Sequence, residues 1–205
     1  MNRMNLLQVI RFFLWPNPCL GFIQRYVGRM SIVTKVGDQG NTRLMFNREV
    51  PKEDPRVDAY GAVDELSTAM GMLRGKPETA PDLKERILTV QKQLIGLMGE
   101  VSTPPELMAK YKESGYQCIT ESDLEFIESR IRDLESQLGP FTTWSIPGDS
   151  ELGSLADWAR TICRRAERKI CALHHSSPID NRVIMVYLNR MSDWLWLEAR
   201  ARDRQ

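Results

Sequence analysis

The chain has 205 residues, of which 42% are hydrophobic and 27% are charged, and its formal net charge is +1. This length suits one domain with a substantial core, and the near-neutral charge gives no indication of nucleic acid as the main partner. The charge is unevenly distributed, because residues 1–29 carry four arginines and no acidic residue. We therefore divide the chain into a leader, residues 1–29, and a folded domain, residues 30–205.

The leader has the composition of a mitochondrial transit peptide, which is Arg-bearing and poor in acids. Its charges are Arg3, Arg11, Arg25 and Arg29. A membrane span is not expected, because Arg11 and two prolines interrupt the run of about 20 apolar residues that a transmembrane helix needs. A secretory signal and an unstructured leader are the alternatives. The favoured interpretation places the protein in the mitochondrial matrix, without a membrane partner.

The cysteines and histidines predict neither a disulfide framework nor a metal centre. The four cysteines show no C-x-x-C spacing, and the domain contains an odd number of them. The only histidines, His174 and His175, are adjacent, so on a helix they point apart. They are better placed to interact with the carboxyl end of a helix dipole than to bind a metal.

A short β-like run, 31–34, leads into an irregular loop rich in glycine and charge, 35–43. Glycines let backbone N–H groups converge on an anion, and the lysine and arginine of the loop can neutralise it. A plain turn is the alternative. The loop lacks the G-x-x-x-x-G-K-[ST] pattern, so an ordinary P-loop kinase or ATPase is excluded. A second charged loop, 51–55, contains Lys52.

Apolar residues at helical spacing predict four or five amphipathic helices in the rest of the chain. The segments are 57–73, 81–101, 120–138, 150–173 and roughly 181–202. Thr120 and Asp123 form a capping-box pattern at the start of the third segment. Residues 104–119 are predicted to form a loop. No strand-rich half and no internal repeat is visible, so the pattern predicts an all-α bundle.

The fourth segment has two contrasting faces. Arg160, Arg164, Glu167 and Arg168 fall on one face, and an apolar stripe occupies the other. That stripe consists of Leu155, Ala159, Ile162, Ala166, Ile170 and Leu173. A row of arginines is usually a solvated surface, and that remains the alternative interpretation. Like charges at this spacing repel, however, and a polyphosphate would compensate them.

Five motifs in these regions together resemble one family, the ATP:corrinoid adenosyltransferases of the propanediol-utilisation type, which includes a mitochondrial adenosylcobalamin-forming enzyme. The family patterns are T-K-x-G-D-x-G-x-[TS], Y-G-x-V-D-E-L, F-x-L-P-G-G, R-x-x-x-R-R-A-E-R and L-N-R-L-S-D. They correspond to residues 34–42, 60–66, 144–149, 160–168 and 188–193. The resemblance extends over residues 31–202, with the motifs in the family's order and spacing.

The resemblance implies roles for individual residues. The ATP-binding set would be Thr34, Lys35, Val36, Gly37, Asp38, Gly40, Asn41, Thr42, Arg43, Lys52, Arg164, Arg165, Glu167, Arg168 and Asn189. Mg²⁺ would be held by the ATP phosphates, with Glu167 as the candidate protein ligand. Trp144, Arg190 and Asp193 would bind the corrinoid, and the catalytic set would be Asp64, Trp144, Arg160 and Arg164. Asp64 and Arg160 would form a salt bridge across a subunit boundary.

The resemblance also implies the reaction and the assembly. Cob(I)alamin would attack the 5′ carbon of ATP, giving adenosylcobalamin and triphosphate. An apolar aromatic side chain would exclude the lower axial ligand of cob(II)alamin, and the loss of that donor raises the reduction potential of cobalt. The expected architecture is a homotrimer of ferritin-like, up-and-down five-helix bundles, each preceded by the irregular ATP-binding loop. A reductase and an adenosylcobalamin-dependent acceptor enzyme are the expected protein partners.

Two residues depart from the family pattern. Trp144 occupies a position where phenylalanine is usual, and Asp149 replaces the second glycine of P-G-G. Tryptophan can exclude an axial ligand, but its size changes the pocket, and a carboxylate near the corrin can weaken binding. The chain also ends soon after Arg202, where many members continue. These departures support one alternative function, a catalytically weak carrier or regulator that binds ATP or a corrinoid.

Overall fold

A computed structural model describes residues 37–204, which divide into two compact units. The described part of the first unit is residues 37–54, and the second unit begins at Pro55. The leader, the β-like run and three predicted ATP contacts, Thr34, Lys35 and Val36, lie outside the described residues.

The first unit contains a short antiparallel hairpin where the sequence predicted only irregular loops. Strand β1, Asn41–Arg43, pairs with β2, Glu49–Pro51, so that Thr42 lies opposite Val50. A 3₁₀ turn, Met45–Asn47, joins the strands. Phe46 and Asn47 have φ angles of 58° and 68°. This left-handed geometry is uncommon for phenylalanine and better tolerated by asparagine.

The second unit is helical, which confirms the all-α prediction. Its helices are α1 (Pro55–Arg74), α2 (Pro81–Val101), α3 (Met108–Glu113), α4 (Glu121–Leu138), α5 (Glu151–Ser176) and α6 (Val183–Asp203). Among residues 37–204, no helix combines the length and apolar character needed to cross a bilayer.

Local sequence signals explain several helix ends. Thr120 and Asp123 form the predicted capping box at the start of α4, and Ser150 accepts a hydrogen bond from the Gly153 N–H at the start of α5. Gly139 follows α4 with a φ of 66°, a conformation that favours glycine. The prediction of a loop over 104–119 is wrong in part, because a 3₁₀ turn (Pro105–Leu107) and α3 occupy it.

The loop prediction failed because a tertiary contact stabilises α3. Tyr111 is only 2% exposed, and its hydroxyl donates a hydrogen bond to the carbonyl oxygen of Gly96 in α2 at 3.2 Å. A six-residue helix has little stability of its own, so the buried Tyr111 side chain stabilises a helix that the spacing of apolar residues does not predict.

The core lies between α5 and its neighbours: α5 packs on α6 and α1, α6 also packs on α4, and α1 also packs on α2. The predicted stripe of α5 is buried from Ala159 to Leu173, whereas Leu155 is only half-buried. One side of α6 is also buried, and the residues concerned are Ile184, Leu188, Met191 and Leu195.

A buried carboxylate joins three segments at the carboxyl end of α2. Glu100 is 3% exposed and accepts a hydrogen bond from the Ile119 N–H at 3.1 Å. Burial raises the pKa of the Glu100 carboxyl, and hydrogen bonds involving Asn181, Ile119 and Cys118 oppose this effect without cancelling it. Glu100 is therefore easier to protonate in the folded chain than in the unfolded chain.

We predict that Glu100 makes stability pH-dependent in a defined direction. Because its folded-state pKa is raised, its contribution to the free energy of unfolding is complete below the unfolded pKa, about 4.3, and is lost as pH rises through the folded value. Denaturant unfolding of the wild type and of Glu100→Gln, from about pH 4 to about pH 8, should show the advantage of the wild type shrinking as pH rises. Glu106→Gln, which removes an exposed acid, is the matched control. A wild-type advantage that grows with pH contradicts the prediction.

Candidate active site

The described part of the glycine loop gathers some of the residues predicted to bind ATP. A Cβ on Gly37 would lie 3.3 Å from both Cε and Nζ of Lys52, so the lysine side chain lies against the loop backbone. The Lys52 N–H also donates to the Gly40 carbonyl oxygen at 2.8 Å, and Gly40 has a φ of 85°. The structure thus places Lys52 beside the loop residues with which the sequence grouped it.

The hairpin also fixes the guanidinium of Arg43, one of the cations of this loop. Arg43 donates to Oδ1 of Asn47 at 2.7 Å and lies 3.7 Å from Glu49, which in turn accepts a hydrogen bond from Asn41 at 3.1 Å. Asp38 is exposed and Thr42 is half-buried. The polar groups of Asn41 and Arg43 are therefore oriented within the hairpin itself.

The predicted polar face of α5 is exposed in the second unit. Arg164 and Arg168 are exposed, and neither has an ion-pair or hydrogen-bond partner among residues 37–204. Arg165 differs, because it pairs with Glu65 of α1. Two guanidinium groups of the row therefore remain uncompensated by the described part of the chain, as an anion-binding surface requires.

A continuous hydrogen-bonded row connects α5 with α6. Asn189 donates through Nδ2 to Glu167 at 3.2 Å and accepts through Oδ1 from Arg190 at 2.9 Å. Arg190 also lies 3.4 Å from Asp193 and 3.2 Å from Glu128 of α4. Residues predicted to bind ATP, Glu167 and Asn189, are thus linked directly to residues predicted to bind the corrinoid, Arg190 and Asp193.

The far end of this row opens into a cavity of about 750 Å³. Its lining residues come from α4, α6 and the segment after α4: Ile131, Glu135, Gly139, Pro140, Phe141, Arg190, Asp193, Trp196 and Leu197. Phe141 and Trp196 meet edge to face, with ring centroids 4.6 Å apart. A cavity that combines apolar walls with a few polar groups is the usual form of a small-molecule site.

Sequence reasoning missed Phe141 and left Trp196 unassigned. The available signal was helical spacing: Trp196 follows Asp193 by three residues and Asn189 by seven, so all three share one side of α6. Trp144, in contrast, does not line the cavity and is 99% exposed, and Ile146 beside it is 79% exposed.

Asp64 and Arg160 are predicted to pair across a subunit boundary, and within the chain they do not pair with each other. The Nε of Arg160 instead donates to Asp157 at 2.8 Å. Asp64 is half-buried and has no ion-pair or hydrogen-bond partner among residues 37–204. Burial raises the pKa of its carboxyl, and the neighbouring Glu65 raises it further. A carboxylate in this position gains from a cation supplied by something other than the described chain.

No cluster of three or more His, Cys, Asp and Glu side chains able to hold a metal occurs within residues 37–204. Glu167 offers a single half-buried carboxylate, held by Asn189. One carboxylate suits Mg²⁺ that takes most of its ligands from water and substrate phosphates, and it does not suit a metal cage made of protein alone.

Comparison with known proteins identifies the class. A family model described as cobalamin adenosyltransferase matches residues 32–202. A corrinoid adenosyltransferase of Bacillus subtilis (strain 168) is 37% identical over 175 residues, which is 83% of this chain and 86% of that protein. Corrinoid adenosyltransferase MMAB of Homo sapiens is 31% identical over 82% of this chain and 67% of its own length. The chain spans half the length of corrinoid adenosyltransferase PduO of Citrobacter freundii, at 35% identity over 85% of this chain.

A solved structure gives the same assignment. The fold is similar to that of a phenylalanine-to-alanine variant of the PduO-type ATP:corrinoid adenosyltransferase from Lactobacillus reuteri, complexed with cobalamin and ATP. The TM-score is 0.74, the sequences are 31% identical, and the match covers 85% of this chain and 93% of the other. The chain therefore belongs to the cobalamin adenosyltransferase family. The predicted enzyme class, an ATP:corrinoid adenosyltransferase, is confirmed.

We predict that Arg164→Ala impairs ATP binding without disturbing the fold. Because Arg164 is exposed and unpaired in the described chain, the free energy of unfolding should change by less than about 0.5 kcal/mol. ATP at about 100 times its Kd adds about 2.7 kcal/mol to the stability of a protein that binds it, and most of this gain should disappear in the variant. Thermal unfolding with and without Mg-ATP measures both quantities. The control is Arg182→Ala, which removes an exposed guanidinium outside the site; equal stabilisation of both variants by ATP would contradict the assignment.

Proposed function

We propose that this chain transfers the 5′-deoxyadenosyl group of ATP to cob(I)alamin. The cobalt(I) lone pair attacks the 5′ carbon, the bond from that carbon to the phosphate oxygen breaks, and triphosphate leaves with the bonding electrons. The observation that carries the proposal is the hydrogen-bonded row from Glu167 through Asn189 and Arg190 to Asp193, which joins an uncompensated arginine face to a cavity with an aromatic wall. One substrate is polyanionic and the other is a large macrocycle, and these two surfaces match them.

The arginine face provides for the leaving group. Negative charge accumulates on the triphosphate as the carbon–oxygen bond breaks, and fixed cations stabilise that charge more than they stabilise bound ATP. Arg164 and Arg168 are available for this task because no carboxylate of the described chain pairs with them. The glycine loop and Lys52 are also proposed ATP contacts, through backbone N–H groups and a further cation. Arg165, at the edge of the arginine face, is another.

Mg²⁺ would be held by the triphosphate, with Glu167 as its candidate protein ligand. When bound, it would neutralise phosphate charge and fix the phosphate conformation. Asn189 contributes by holding the Glu167 carboxylate in place through its Nδ2. The same amide accepts a hydrogen bond from Arg190 through its oxygen. Asn189 therefore positions Glu167, a proposed ATP contact, and Arg190, a proposed corrinoid contact.

The cavity provides for the corrinoid. Phe141 and Trp196 form an apolar wall, while Arg190 and Asp193 offer partners for the amide groups at the edge of the macrocycle. Trp144 would act from the exposed segment that follows Phe141. It would cover the lower face of cobalt and exclude the axial ligand, an arrangement that requires this segment to close over the bound corrinoid.

The deciding experiment supplies Mg-ATP and chemically reduced cob(I)alamin to the full chain. Formation of adenosylcobalamin, followed by absorbance, together with one equivalent of triphosphate is the expected result. Release of ADP or pyrophosphate would overturn the proposal. Tight corrinoid binding without turnover would favour the alternative, a carrier or regulator, to which the Trp144 and Asp149 departures point.

We predict that Trp196→Ala weakens corrinoid binding selectively. Removing a cavity-wall aromatic should reduce cob(II)alamin affinity on the order of 10- to 100-fold, because burying a large apolar side chain contributes about 1.5–3 kcal/mol and each 1.4 kcal/mol is a factor of about ten. The affinity for ATP should stay within about twofold, since the side chain is not on the arginine face. Titration of each ligand separately measures the two effects. Trp158→Ala, at a half-exposed tryptophan that does not line the cavity, is the matched control and should bind corrinoid normally.

We also propose that the chain functions as a homotrimer of ferritin-like five-helix bundles with its active sites between neighbours. Support comes from Asp64, whose partly buried carboxylate has no cation among the described residues, and from Arg160, whose terminal nitrogens have none of the described carboxylates. Asp64→Ala and Arg160→Ala should both weaken the trimer in sedimentation measurements. Unchanged assembly and turnover in both variants would contradict an interface pair.

Residues 1–29 are proposed to direct import into the mitochondrial matrix, on the basis of their four arginines and lack of acids. There a reductase would reduce cob(II)alamin to the cob(I)alamin that the enzyme uses. The enzyme would pass adenosylcobalamin to an enzyme that depends on it. A fluorescent protein carrying residues 1–29 tests the address directly, and retention in the cytosol would refute it.

A further inference from the structure

A buried ionic cluster joins the first turns of α5 to the last turns of α6. Its members are two aspartates and two arginines: Asp157, Asp203, Arg160 and Arg200. Asp157 lies at the centre, is 4% exposed and uses both carboxylate oxygens. Oδ1 accepts from the Nε of Arg160 at 2.8 Å, and Oδ2 accepts from a terminal nitrogen of Arg200 at 2.5 Å.

The bond from Asp157 to Nε of Arg160 leaves the two terminal nitrogens of that guanidinium available. A guanidinium group is planar and rigid, so fixing Nε also fixes the direction of its two terminal nitrogens. Neither terminal nitrogen has a hydrogen-bond partner among residues 37–204, and the Arg160 side chain is 24% exposed. By fixing Nε, Asp157 therefore orients the two terminal N–H donor groups of Arg160, which are free to bind a group from outside the described chain.

Arg200 of α6 holds the second oxygen of Asp157. Arg200 is 4% exposed and pairs also with Asp203, at 2.9 Å. Asp203 in turn accepts a hydrogen bond at 2.9 Å from the hydroxyl of Ser150, the residue that caps α5. The carboxylate of Asp157 is thus fixed from its own helix and from α6, and two aspartates balance two arginines in a site where an unpaired charge would be costly.

We propose that Asp157 is a positioning residue for adenosyl transfer, which sets the orientation of the Arg160 guanidinium, and that Arg200 holds Asp157 in place for this task. The inference rests on the proposed function, since it assigns Asp157 a role through Arg160. Asp157 itself touches neither substrate. Its contribution appears in the rate at which bound substrates react, because Arg160 is not among the residues expected to bind ATP.

The test uses Asp157→Asn in the full chain. The amide offers one acceptor oxygen, which Arg200 should retain because Arg200 is the more deeply buried of the two arginines. Arg160 then loses its anchor while the packing volume is unchanged. We expect kcat for adenosylcobalamin formation to fall on the order of 10- to 100-fold, with KM for ATP within about threefold of the wild type.

Two further variants separate positioning from general structural damage. Asp203→Asn removes the other carboxylate of the cluster, which contacts Arg200 and Ser150 but not Arg160. It should destabilise the chain to a similar extent yet leave kcat within about threefold. In an Arg160→Ala background, Asp157→Asn should lower kcat by less than about threefold more, because the residue through which it acts is already gone.

The outcomes are distinguishable. Wild-type kcat in Asp157→Asn, an equal loss of kcat in Asp203→Asn, or an undiminished loss in the Arg160→Ala background would each overturn the positioning role while the wild type remains active. A wild type that forms no adenosylcobalamin would instead overturn the proposed function, and the positioning role with it.

Discussion

The register of α5 against α6 is the constraint on which the rest of the structure depends. Small residues on α5 allow the two helices to approach closely: Gly153 faces Asp203 and Ser150, and Ala156, Ala159 and Ala166 are fully buried. The thiol of Cys163 donates to the Leu188 carbonyl oxygen at 3.2 Å. Because backbones that pack this closely cannot slide without steric clashes, the pairing of side chains across the two helices is fixed.

That register determines which polar groups meet. At one end of the helix pair it brings Asp157 to Arg200, and nearer the other end it brings Glu167 to Asn189. The two contacts differ in purpose as well as in place. The first is buried and electrically balanced, whereas the second is half-buried and adjoins arginines that the described chain does not balance. A shift of one helical turn would break both.

Two groups of arginines differ in how their charge is compensated. Arg200 and Arg130 are largely removed from water and have carboxylate partners: Arg200 has Asp157 and Asp203, and Arg130 has the fully buried Glu198 at 2.9 Å. Arg164 and Arg168, which remain in water, have no such partners in the described chain. Water solvates these exposed charges, and the unbalanced arginines form the surface that we propose binds the triphosphate of ATP.

The sequence by itself determined the family, the helical class and the two faces of α5. Periodicity suffices for these, because the apolar stripe and the arginine row alternate at the spacing of a helix, and because the caps at Thr120 and Ser150 are local signals. The five motifs identified the enzyme class because their residues and order are readable without any fold.

Only the tertiary structure decided which of these residues act together. Arg165 and Arg164 are neighbours in the chain, yet one pairs with Glu65 of α1 and the other is unpaired in the described chain. Phe141 and Trp196 are 55 residues apart in the numbering and form one cavity wall, while Trp144, which the motif singled out, is exposed. Asp157 carried no signal at all in the sequence. Its role depends on a contact with Arg200, 43 residues away, and such long-range pairings are set by how helices pack rather than by local spacing.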